Sequence, residues 1–142
     1  MPKIRPAFIA VTLADCVGKD ADPPEIATDL AATLQDVEST LSSVIGARGV
    51  AALYKRALLL AASGHPWLSG VPSEWGTPDA QTTLQTFISR QSREQAASGA
   101  HAILHNFQSL LQALVGAPLT TRLLQPALAH YSQRASAQDH RP

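Results

Sequence analysis

The pair Gly46-Ala47 recurs as Gly116-Ala117, and each pair closes a long apolar stripe written at helical spacing. Ahead of the first pair run Ile26, Leu30, Leu34, Val37, Leu41 and Val44; ahead of the second run Ala96, Ala100, Ile103, Phe107, Leu110 and Leu114. Steps of three and four residues place such side chains on one side of a helix over about five turns. Glycine then ends the helix cheaply, because it tolerates positive φ. Two stripes that each need an apolar partner restrict the chain to helix packed on helix. Composition agrees: alanine (24) and leucine (18) supply 42 of the 142 residues, against 13 for valine and isoleucine together. Branched side chains favour strands and lose rotamer freedom in helices, so this balance predicts helix.

Shifted by 70 residues, segment 32–58 overlays 102–128 without a gap, with nine identities in 27 positions. Each segment holds the end of a stripe, the Gly-Ala turn and the start of the next helix. The prediction is therefore an all-α fold: a four- to five-helix bundle built from two antiparallel helical hairpins, with 32–58 and 102–128 as an internal pseudo-repeat. The first helix begins at Asp22-Pro23, where Asp22 caps, Pro23 occupies the first turn and Glu25 completes a capping box. Gly46 and Gly49 bracket the first turn. Val50, Leu53, Tyr54, Ala57, Leu58 and Ala61 then point inward, and Leu58-Leu59-Leu60 is apolar nearly all round, as in a deeply buried helix. A new helix starts at Thr77-Pro78-Asp79, Gly99 marks the break before the second stripe, and Pro126 bends or splits the last helix. The domain reads as an arm over 1–21, one bundle over 22–134 and a frayed tail over 135–142.

Eleven basic and eleven acidic side chains give zero net charge, which speaks against a nucleic-acid or membrane-surface binder. The single cysteine, Cys16, forms no internal disulfide, and the expected location is cytoplasmic. Lys3 and Arg5 ahead of the apolar run 8–14 outline a short signal peptide, but Pro6 and Asp15 spoil it. The bland reading is an arm lying on the domain. Charge is segregated: residues 15–38 hold seven acids and one base, while Arg48, Lys55 and Arg56 form a basic flank on the second helix.

His101 and His105 stand four apart, the spacing at which one helix face can hold a metal. About 100° per residue turns both away from the Phe107 side, and no third ligand is near, so neither metal nor cofactor is predicted. A histidine on the outer face of a bundle resembles the histidine phosphotransfer domains, whose motif sets a lysine three residues after the histidine. Leu104 and Gln108 occupy those places here. Gly46-Ala47-Arg48-Gly49 is a GxxG, the phosphate clamp of one RNA-binding module, but that module needs a sheet. The loop 64–77 carries His65, Trp67 and Trp75, and tryptophans either anchor a partner or plug a bundle end. No nucleophile elbow or paired catalytic carboxylates occur. The expectation is a non-enzymatic interaction or regulatory protein showing an apolar or aromatic face to a protein partner or to itself as a homodimer. The alternative is a ligand-binding or phosphotransfer-like bundle using His101 and His105.

Overall fold

The structure, a computed structural model, describes residues 12–13, 22–71 and 78–139. The described residues form four helices and a 3-10 turn, with no strand among them: α1 (Pro23–Gly64), the turn Pro66–Gly70, α2 (Pro78–Ser89), α3 (Arg93–Val115) and α4 (Ala117–Asp139). At the start of α1 the Glu25 carboxylate accepts the Asp22 amide at 3.2 Å, and Pro23 fills a position whose N–H has no helical partner. Ser92 caps α3 by accepting the Gln95 amide at 3.2 Å.

Gly46 breaks α1 into two arms, 23–45 and 47–64, with φ 81° and ψ 158°. A straight helix of 42 residues would hold its ends about 63 Å apart. Instead the Asp22 carboxylate meets Arg93 at 3.1 Å, while His65 meets Ser98 at 2.7 Å. Both partners lie in the first two turns of α3, so α1 folds back on itself at Gly46. The second arm then runs antiparallel to α3: stepping back from His65 to Ala57 matches stepping forward from Ser98 to Asn106, whose amide donates to the Ala57 carbonyl at 3.4 Å. Gly116, with φ 90° and ψ 156°, reverses the chain into α4, which reaches the first arm through His130 and Asp36 at 3.2 Å. Helix α2 lies against the first arm, where Gln35 donates to Gln81 at 2.7 Å. The two glycine turns therefore share one end of the bundle, and the 3-10 turn occupies the other.

Leu34 and Leu104, Val37 and Phe107, Leu41 and Leu111, Tyr54 and Leu124, and Ala57 and Ala127 are all buried. The all-α bundle is thus the observed fold. Several local expectations need correction. Gly99 does not break a helix; the break falls at 90–92, where Ser92 supplies a cap, and Gly99 sits buried inside α3. Gly49 also lies within the helix. Pro126 does not split α4; it faces solvent together with Arg122, so the carbonyl that loses its donor can be hydrated. Leu59 and Leu60 are 55% and 42% exposed, because only one side of the second arm meets the bundle. Val44 and Leu114 belong to their stripes by angle but are 52% and 60% exposed, since the stripes outrun the packing.

Two buried polar groups make predictions. The Thr33 hydroxyl is buried with no hydrogen-bond partner. Thr33→Val keeps the shape and removes the unsatisfied group, so a rise in stability of about 1 kcal/mol is expected in urea unfolding. Burial pushes the Tyr54 phenol above its ordinary value, because the phenolate is poorly solvated there. The folded state keeps this proton while the unfolded state releases it near the ordinary value of about 10. The unfolded state then binds fewer protons, so stability holds below about pH 10 and falls as pH climbs above it. Denaturant titrations across pH 9–11 should show this loss flattened in Tyr54→Phe; an unchanged slope would assign the alkaline loss to other groups.

Candidate functional site

The end opposite the glycine turns is built from the 3-10 turn and the first turns of α3. Leu68 is fully buried there, drawing Trp67 onto α3. The Trp67 ring lies over Gly99 so closely that a Cβ at that position would come within 2.6 Å of it. Gly99 is therefore the seat of Trp67, and the absence of a side chain permits the contact. The Trp67 indole N–H donates to Gln95 at 3.2 Å, and His65 meets the indole edge to face at 6.3 Å. His65 Nδ1 lies 3.1 Å from the Ala61 carbonyl, which can only accept. Nδ1 thus carries the proton, and in the neutral ring Nε2 accepts from the Ser98 hydroxyl at 2.7 Å.

This Ser98–His65–carbonyl chain has the order of an activated nucleophile, its base and an orienting acceptor. The amides around Ser98 lie past the first turn of α3 and are taken by the helix ladder, so they offer no oxyanion donors. Chemically it ties the end of α1 to α3. Beside it lies a shallow recess of about 270 Å³ formed by Glu94, Ala97, Ser98 and His101.

His105 belongs to a different recess, of about 220 Å³, lined by Thr12, Gln108, Ser109 and Gln112. Next to Thr12, Leu13 is fully buried, and its amide donates to the Gln108 side chain at 2.8 Å. His101 and His105 therefore share a helix face but serve separate recesses. Among the described residues no three His, Cys, Asp or Glu side chains gather as a metal site, and no helix is long and apolar enough to cross a membrane. Of the predicted site residues, the structure joins His65 and Trp67 through Ser98, Gln95 and Gly99. Trp75 and Cys16 lie outside the described residues. Gln95, Ser98, Gly99, Gln108 and Leu13 carry no motif. The one signal for them is a glycine inside an apolar helical stretch, the mark of a close approach.

A second feature lies at the glycine-turn end. Val44 follows Ile26, and Leu114 follows Ala96, by eighteen residues, about five full turns, so each points to the core side of its helix. Ile26 and Ala96 are fully buried, whereas Val44 and Leu114, with Leu119 at 39% exposure, are open to solvent. Among the described residues, nothing at this end matches the Trp67–Leu68 plug at the other. Compared with known proteins, the chain matches no family model, no curated protein and no solved structure.

Proposed function

We propose that the protein is a non-enzymatic interaction module, and that its uncapped glycine-turn end is the apolar face it presents to a second copy. The observation that carries this reading is the pair Val44 and Leu114, core-facing by helical angle yet left half exposed. Ile45 and Val115 pack beside them, only partly buried. Most of the second stripe is not available: Ala96, Ala100, Ile103 and Phe107 are consumed by the protein's own core, and Leu110 is partly buried against it. One end of a bundle is smaller than the roughly 800 Å² per partner of a standard interface, so the association is weak and concentration-dependent. Light scattering after size exclusion, at two concentrations about tenfold apart, should show a mass moving from 15.0 kDa toward twice that value. V44Q/L114Q/L119Q should stay monomeric with unchanged helix content. A native chain that is monomeric at both concentrations sinks the reading.

The ligand-binding or phosphotransfer alternative has the recesses at His101 and His105 behind it. It requires that H101A/H105A abolish capture of a small ligand or phosphoryl group. On the interaction reading, that double variant changes stability by less than about 0.5 kcal/mol and leaves self-association intact.

A further inference from the structure

We propose that the outward face of the second arm of α1 docks an acidic amphipathic helix of a partner protein. About 100° per residue places Arg48, Ala52, Lys55, Leu59 and Ser63 on one stripe, with Arg56 and Leu60 along its flank. The core residues Val50, Tyr54, Ala57, Leu58 and Ala61 lie on the opposite side. All seven outward residues are exposed, and Leu59 at 55% is the more open of the two leucines. None of the three cations takes part in the ion pairs seen among the described residues, such as Arg93 with Asp22 and His130 with Asp36. No carboxylate occurs in the sequence between Glu38 and Glu74.

Charge complementarity selects the occupant. Two leucines one turn beyond Lys55 and Arg56, with no acid near in sequence, fit a helix that sets apolar side chains beside carboxylates, and the cations repel a basic partner. The small side chain of Ala52 lets another backbone approach. From Arg48 to Leu60 the stripe is straight and about 18 Å long, which suits a helix laid along it, with anchors at every third or fourth residue. An anionic membrane would read the same charges, but two leucines on a helix whose main apolar side is sealed in the bundle offer little area to insert. The face is separate from the uncapped end, so this proposal goes beyond self-association and stands or falls apart from it.

The test is fluorescence anisotropy with a labelled synthetic peptide of about eighteen residues, leucines at helical spacing flanked by glutamates. A twin peptide carries lysines instead. The glutamate peptide is expected to bind saturably and more weakly at high salt. R48E/K55E/R56E should weaken it by at least about tenfold and bind the lysine twin instead, while L59S/L60S should weaken the glutamate peptide without altering helix content. These residues are solvent-facing, and circular dichroism confirms that each variant is folded. V44Q/L114Q/L119Q should bind the glutamate peptide as the native chain does, which separates this face from the uncapped end. Absence of saturable binding overturns the proposal, and so does binding that survives charge reversal. Preferential, Arg48-, Lys55- and Arg56-dependent binding of phosphatidylserine–phosphatidylcholine vesicles, with no peptide binding, overturns it in favour of a lipid surface.

Discussion

Leu13→Ala is expected to lower the unfolding free energy by about 2–4 kcal/mol, as much as truncating a leucine within a helix. Leu13 precedes α1 in the sequence, yet its side chain is fully buried in the same cluster as Ile26, Leu41 and Phe107. Truncation removes buried methyl groups and leaves a cavity between helices whose backbones are fixed by hydrogen bonds, so the site can collapse only in part. The backbone amide of Leu13, which the truncation leaves in place, donates to the Gln108 side chain at 2.8 Å. Gln108→Leu removes that acceptor but adds apolar bulk at a half-buried position, and should cost about 1 kcal/mol. Since the two residues share one docking event, the double variant should cost less than the sum of the singles. Urea unfolding of the two singles and the double checks all three values. A Leu13→Ala cost below about 0.5 kcal/mol, typical of a surface position, would mean the segment does not belong to the core.

How much of this was legible beforehand follows from range in sequence. The helix start at Asp22-Pro23, the reversals at Gly46 and Gly116 and the inward residues Ile26, Leu30, Leu34, Val37 and Leu41 are local properties of period and glycine placement, and the structure shows them as read. The break at 90–92 was hidden because Gly99 looked like the better breaker. Its glycine serves a contact made from 32 residues away by Trp67, and no local rule carries that information. The burial of Leu13 was hidden in the same way, since its hydrogen-bond partner Gln108 lies 95 residues along the chain. Val44 and Leu114 show the converse limit. Helical period fixes the direction of a side chain but not where along the axis the neighbouring helices stop covering it. Of the candidate site residues, His65 and Trp67 converge with α3 side chains that have no motif of their own. The histidine pair four apart, the sharpest pattern in the sequence, is divided between two recesses, and Thr12, far away in sequence, lines the one at His105.

The second large effect is expected at the turns. Gly46 and Gly116 adopt φ 81° with ψ 158° and φ 90° with ψ 156°, a region populated almost only by glycine, where another residue costs on the order of 1–3 kcal/mol. A Cβ would meet nothing within 4 Å at Gly46 and only Pro118 at 3.9 Å at Gly116. The cost is therefore in the backbone itself, and no neighbouring side chain can move to relieve it. Gly46→Ala and Gly116→Ala should each destabilise by that amount, and by similar amounts, because the two backbones are nearly the same. The double variant should approach about 2–6 kcal/mol, enough to unfold a domain of ordinary stability. Gly64→Ala is the internal control: its Cβ also meets nothing within 4 Å, and its φ is not positive. Alanine there should be neutral or slightly stabilising, since it restricts the unfolded chain without straining the folded one. Thermal and urea unfolding of the four variants decides the matter. If Gly46→Ala and Gly116→Ala cost no more than Gly64→Ala, the reversals are set by side-chain packing. If only one is costly, the two hairpins are not energetically equivalent, whatever their likeness in sequence.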